Sequence, residues 1–186
     1  MNRQFRDREA WAKWLRTHHA SSSGVWLRIA RASSGARSIT YGEALDVALC
    51  YGWIDGQTKP ESERTWLKRF VPRSKRSIWS KINRQKALAL IKTGRMQPAG
   101  LAEVERARRD GRWRAAYDSQ SRAVVPKDLR AALDRNSRAK RFFDTLNSKN
   151  RYAVLFRIQS AKKAETRAGR IQHFIRMLAA RQKIHS

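Results

Sequence analysis

The order of patterns along this chain predicts an α+β fold: a small antiparallel sheet packed with helices, followed by an all-helical C-terminal region. Three observations carry that reading. Short runs rich in β-formers (Val25 to Ile29, Trp53 to Thr58 and Thr65 to Val71) all fall in the first eighty residues. The last two flank one polar loop, Lys59-Pro60-Glu61-Ser62-Glu63, so they pair most simply as an antiparallel hairpin that joins the first run. From Ser80 onward the apolar residues recur at helical spacing, and no strand pattern is found. The expected organisation is a sheet-containing region over residues 1–80 and a helical region over 81–186, packed with the first as one unit.

In chain order, Trp11, Trp14 and Leu15 recur at helical spacing behind Asp7 and Glu9, which predicts an opening amphipathic helix broken by Ser21-Ser22-Ser23-Gly24. The first strand follows, then a turn at Ser33-Ser34-Gly35. The next helix is the best marked. Thr40 caps it, Glu43 three residues on reaches back to the cap amide, and Tyr41, Ala44, Leu45, Ala48 and Leu49 form one apolar stripe ending at Gly52. After the hairpin, closed by Pro72, helices are expected over Ile82 to Thr93 and from Pro98 with Leu101 and Val104 inward. Others follow from Pro126 through Leu129, Ala132 and Leu133, around Phe142, Phe143 and Leu146, over Tyr152 to Ala161, and with Ile171, Phe174, Ile175 and Leu178 on one face. Ser119 to Val125 is the one stretch that reads as a linker longer than a turn. The inward faces predict a core containing Leu45, Leu49, Ile54, Leu67 and Phe70.

Charge is the outlying property. Against 15 acids stand 42 Lys and Arg, a net charge of +27. The chain to Gln97 carries +13 and the remainder +14, so the basicity is not a detachable tail. Such a balance attracts polyanions, chiefly nucleic acid phosphates or an anionic membrane surface. Arg outnumbers Lys 29 to 13, which a GC-rich genome also produces without any function attached. With 41% hydrophobic residues the chain has enough apolar material for a core. A single cysteine, Cys50, excludes an internal disulfide. No apolar run reaches the roughly 18 residues of a membrane span, and no signal-peptide pattern opens the chain, so the expected location is the cytoplasm.

The residues open to chemistry are few. Cys50 to Gly56 sets two glycines around Trp53 and the lone acid Asp55, where a helix becomes a strand. If the hairpin forms, Asp55 faces Arg69 or Arg73, with Trp79 and Asn83 close by in sequence. Trp53, Asp55, Arg69, Arg73, Trp79 and Asn83 therefore make either a ligand pocket or a structural set of core tryptophans and an acid satisfied by arginine. Arg73, Lys75, Arg76 and Lys81 form a basic run interrupted by Trp79, which is either a polyanion contact or a solvated face around a buried ring. Cys50 lies on the buried side of its helix with no His nearby in sequence, and the scattered acids and histidines offer neither a metal grouping nor a carboxylate pair. G-x-S-x-G, Walker and G-x-G-x-x-G motifs do not occur. A non-catalytic protein without cofactor or metal is the expectation.

The sixteen residues from Tyr41-Gly42-Glu43-Ala44-Leu45 through Cys50-Tyr51-Gly52-Trp53-Ile54-Asp55-Gly56 resemble the signature of the YdeI/OmpD-associated family, also named for bacteriocin protection. Further pieces appear in that family's order: Phe70 with Pro72-Arg73, Ser77 and Trp79-Ser80, Asn83, Gly94-Arg95-Met96, Pro98-Ala99-Gly100, Trp113 with Tyr117, Pro126, Thr166-Arg167 and Arg170-Ile171. The resemblance implies a YjbR/CyaY-like architecture and a role in envelope or antimicrobial-peptide stress, and it supplies no catalytic residues. An iron-chaperone role by analogy with frataxin wants an acidic face that this basic chain lacks.

Three expectations follow. The first is a non-catalytic basic binding protein that engages nucleic acid or another polyanion. The second is a stress-protection factor meeting a small ligand or protein partner around Trp53, Asp55 and Arg73. The third is an enzyme of unrecognised type working through Cys50 or Asp55.

Overall fold

The computed structural model describes residues 2–119, 123–161 and 163–186. The chain divides into two compact units, one of Met1–Trp79 with Asn83–Arg114, the other of Ser80–Ile82 with Ala115–Ser186. The sheet unit therefore keeps the helical residues up to Arg114. The linker expected over Ser119 to Val125 lies partly outside the described residues.

The first unit holds strands β1 (Asn2–Arg3), β2 (Val25–Ala30), β3 (Trp53–Pro60) and β4 (Thr65–Pro72) and helices α1 (Arg8–His18) and α2 (Tyr41–Cys50). It also holds α4 (Pro98–Arg109) and all of α3 (Lys81–Lys92) from Asn83 onward. The fold is α+β, as the pattern requires. The sheet runs β1-β2-β4-β3, and β2, β4 and β3 pair antiparallel as expected. One strand is new: β1 lies parallel beside β2, which makes the sheet mixed. Two residues are too short to show any alternation.

Local chemistry explains the elements. Asp7 caps α1 by accepting from the Ala10 amide at 2.9 Å. At α2 the Glu43 amide donates to Thr40 Oγ1 at 3.3 Å while the Thr40 amide donates to Glu43 Oε2 at 3.0 Å, the capping box read from the sequence. Gly52, at φ +73°, turns the chain from α2 into β3; a Cβ there would lie 2.9 Å from the carbonyl of Ala99. Gly100 lets α4 approach the end of α2 so closely that an added Cβ would stand 2.3 Å from the Cys50 carbonyl oxygen.

One sheet face, with Val25, Leu27, Ile29 and Phe70, is buried with Trp11, Leu15, Leu45 and Leu49 of α1 and α2. Leu67 is also buried. Two expected core positions differ. Ile54 pairs with Val71 on the opposite face of the sheet and is only half-buried, because side chains alternate and Trp53 points inward. Leu101 is exposed, and Gly100, Val104 and Ala107 make the buried stripe of α4 instead.

The second unit is helical: α5 (Lys127–Asp134), α6 (Ser137–Thr145), α7 (Ser148–Gln159) and α8 (Ala164–Ala179). Leu129, Leu133, Phe143, Leu146, Val154, Ile158, Ile171, Phe174 and Leu178 form its core, with Phe142 and Ile175 at the margin. Asn136 and Asn147 cap α6 and α7, and the buried Asn150 ties the C-terminal tail down by accepting from the Ile184 and His185 amides.

Candidate functional site

Trp53 projects from β3 into an aromatic cluster on α1, edge-on to Trp11 at 6.2 Å and Trp14 at 5.9 Å between ring centres. Its indole Nε1 donates to the His19 carbonyl at 3.1 Å, and the residue is 1% exposed. Trp53 is a core residue.

Asp55, two residues on, shares the inward face. It meets neither Arg69 nor Arg73. Its carboxylate pairs with Lys68 Nζ at 2.9 Å and accepts from the Tyr41 hydroxyl at 2.9 Å, while the same ammonium lies 5.2 Å from the Tyr41 ring centre and donates to Thr58 Oγ1. Sheet register gives the reason. Asp55 stands opposite Phe70, which faces inward, so Arg69 points to the other face and Lys68 returns to the inner one. A shift in register between Asp55 and Thr58 brings Lys68 alongside.

Arg73 is 5% exposed, with its guanidinium carbon 3.6 Å from the centre of the Trp79 ring and its Nη1 donating to the Ile78 carbonyl. Trp79 in turn meets Trp113 edge-on at 4.9 Å and is 2% exposed. The equally buried Arg112 donates to the Ser77 carbonyl at 2.6 Å and grips Asp110 through Nε and Nη2. Two arginines thus satisfy carbonyls of the loop from Ser74 to Trp79. Glu103 lies in this cluster, paired with Arg106. Burial pushes its carboxyl above the usual carboxylate range although Arg106, Arg112 and Arg73 pull it down.

The basic run is consequently not one surface. Arg73 is interior, Trp79 offers no ring for stacking, and Lys75 and Arg76 are exposed beside the half-exposed Ile78. Lys81 belongs to the second unit, where it pairs with Asp118 at 2.8 Å. Asn83 is half-buried in the first turns of α3. Of the proposed site residues, the structure brings together Arg73 and Trp79, and sets Trp53 and Asp55 on one sheet face.

A surface that the motifs did not single out lies on the outer face of the sheet. Trp26, Arg28 and Ala30 of β2 alternate with the buried residues and are half-exposed. Arg69 stands directly opposite Trp26, and the exposed Lys59 places its Nζ 4.8 Å from the centre of the Trp26 ring. Arg28 holds Glu61 through two bonds of 2.7 and 2.6 Å. The alternation in Val25 to Ile29 contains the signal for this face, since it sets Trp26 and Arg28 opposite the core. Elsewhere, burial raises the Cys50 thiol, the reverse of nucleophile activation. Among the described residues no group of three or more His, Cys, Asp or Glu could hold a metal ion, and no helix is long and apolar enough to cross a membrane.

The fold and surface define a class: a small α+β protein whose sheet shows a cationic, tryptophan-bearing face, with a separate helical unit at its C-terminal end. Residues 3–103 match the family model described as a domain of unknown function (DUF8412), and residues 122–181 match the one described as bacteriocin-protection, YdeI or OmpD-associated. The first match covers more than half of the chain, so this protein belongs to the DUF8412 family. The second supports the YdeI/OmpD-associated kinship through the helical unit, whereas the Tyr41 to Gly56 block that first suggested it lies within the other match. No curated protein and no solved structure matches the chain.

Proposed function

We propose that this protein is a non-catalytic, cytoplasmic polyanion-binding protein that engages nucleic acid through the outer face of its sheet. The observation that carries this is Trp26 on a half-exposed sheet surface, with Arg69 paired opposite it and the Lys59 ammonium against its ring. An aromatic face stacks a base while flanking cations pair with phosphates, and the combination tolerates any sequence. The charge balance supports the reading. With a surplus of +27, acids such as Asp46, Asp55, Asp118 and Asp128 are already engaged by Lys86, Lys68, Lys81 and Arg167, so the excess cations have no counter-charge in the chain.

The test is anisotropy of labelled single-stranded and duplex oligonucleotides from about 50 to about 200 mM salt. Lys59→Gln with Arg69→Gln is expected to flatten the log–log salt slope by about 2, because each lost phosphate contact removes roughly one unit. Trp26→Leu should weaken single strands more than duplex. An unchanged slope, or no binding at low salt, overturns the proposal.

A second reading is protection against a bacteriocin, favoured by the description of the family matched over residues 122–181. It needs a contact surface other than the one expected around Trp53 and Arg73, since both are buried. The YjbR/CyaY-like relationship of the sheet unit belongs to the same set of proposals, and an experimental structure compared with that group tests it.

A further inference from the structure

The helical unit carries a second cationic feature, one that the nucleic-acid reading does not use. A concavity of about 380 Å³ is lined by Arg138, Arg141, Phe142 and Thr145 of α6 and by Arg181, just past the end of α8. Arg138, Arg141 and Arg181 are exposed, and their side chains have no hydrogen bond or ion pair among the described residues. Asp144, the acid of α6, is taken by Lys140 at 3.1 Å and reached by Arg151 at 4.0 Å. Three guanidinium groups around one small hollow, with no carboxylate in its lining, repel one another unless an anion sits among them.

Composition alone would scatter unpaired arginines over this surface, so the backbone at Arg181 is the deciding observation. α8 ends in a Schellman motif: the Arg181 amide donates to the Leu178 carbonyl and the Gln182 amide to the Met177 carbonyl, both at 3.0 Å. The residue at the turn must be left-handed, a position that glycine or asparagine fills at least cost. Here it is arginine, at φ +56°, the one non-glycine residue with positive φ among the described residues. An arginine at a disfavoured backbone position, lining a hollow with two other arginines, is the kind of outlier from which a binding role is inferred.

We propose that this hollow binds a phosphomonoester of mononucleotide size, the phosphate held by Arg138, Arg141 and Arg181 and the organic part lying on the half-buried ring of Phe142. Guanidinium forks match phosphate oxygens, and a space of about 380 Å³ exceeds what a bare phosphate fills while falling within the range of small-ligand sites. The Thr145 hydroxyl, which donates to the Phe142 carbonyl at 2.7 Å, keeps its lone pairs free for a ligand donor. The same chemistry comes from two sources, a free nucleotide or the 5′-phosphorylated end of a nucleic acid strand.

The experiment uses the full chain, with adenosine 5′-monophosphate, adenosine and inorganic phosphate titrated by calorimetry. Arg181→Gly separates the two roles of the residue. It relieves the backbone, so the melting temperature should hold or rise, and it removes a guanidinium, so the Kd for the monophosphate should increase by about tenfold. Arg138→Gln and Arg141→Gln should each weaken it similarly. Tighter binding of a 5′-phosphorylated oligonucleotide than of its unphosphorylated twin and of the mononucleotide identifies the strand end as the source; the reverse order identifies the free nucleotide. Lys59→Gln with Arg69→Gln should leave mononucleotide binding intact, so failure on the sheet face and failure here are distinguishable. The inference is overturned if the monophosphate does not bind at about 1 mM, if adenosine or phosphate binds as well as it does, or if Arg181→Gly leaves its Kd within about twofold.

Discussion

Removing the charge of Asp55 tests the core of the sheet unit. The carboxylate and the Lys68 ammonium lie 2.9 Å apart, with their side chains only 18% and 12% exposed. At an effective dielectric constant of about 20, unit charges roughly 3 Å apart attract by about 5–6 kcal/mol, and dehydration of both groups offsets most of it. Asp55→Asn keeps an oxygen for the Tyr41 hydroxyl and deletes the charge, so it leaves a largely buried ammonium without its counter-ion. Breaking a fully buried pair costs about 3–5 kcal/mol, and the residual exposure here points to the low end, about 3 kcal/mol. In a unit of this size that lowers Tm by roughly 13 °C. Tryptophan fluorescence reports it directly, because Trp11, Trp14 and Trp53 pack together in the sheet unit. The double variant Asp55→Asn with Lys68→Met should recover much of the loss, since no charge is then stranded. A melting temperature within about 2 °C of wild type for Asp55→Asn refutes the reasoning. So do strictly additive effects in the cycle. A stable Asp55→Asn protein that has lost its cellular activity would instead make this carboxylate part of the functional site.

Gly100→Ala should destabilise the sheet unit by about 3 kcal/mol or more, because the new methyl meets the Cys50 carbonyl and the Met96 sulfur and neither helix can yield cheaply; denaturant unfolding reads the loss. In the helical unit, Asp128 holds Arg167 through bonds of 2.6 and 2.9 Å, and that arginine's hydrogen bond keeps its carboxyl below the usual carboxylate range. A lowered folded pKa contributes stability above the ordinary carboxylate value near 4 and loses it as pH falls through the folded value. Asp128→Asn should therefore be less stable at neutral pH by about 1 kcal/mol or less, as for a half-exposed pair, and indistinguishable from wild type once the pH lies below that window.

Much of the fold is legible because its signals are local. Thr40 and Glu43 sit three residues apart and make the capping box by themselves, and the alternation from Val25 to Ile29 sets both faces of β2. β1 was not legible, since two residues show no period and its partner lies far along the chain. The partner of Asp55 was half legible. Once Phe70 is taken as inward, a period of two turns Arg69 outward and returns Lys68, but the shift in register that completes the approach leaves no mark in the composition. Arg73 was not legible at all. Its burial depends on Trp79, and on Trp113 behind it, which contacts near in sequence do not foretell.

These differences change what the net charge means. In the cluster of Arg73, Arg106 and Arg112, Glu103 stands where a bound anion would stand, and Asp110 closes the remaining side of Arg112. Arg73 and Arg112 are also spent on the carbonyls of Ile78 and Ser77, and Arg106 on the Arg73 carbonyl, so three conspicuous arginines add little to any external field. Lys59 and Arg69 are different, for they stand beside an aromatic ring on a half-exposed face and neither has an ion pair among the described residues. Arg138, Arg141 and Arg181 are different again, with no carboxylate lining their hollow. A polyanion responds to charge that the protein has not already neutralised. The position of the unpaired cations, more than their total, is therefore what selects where a phosphate would bind.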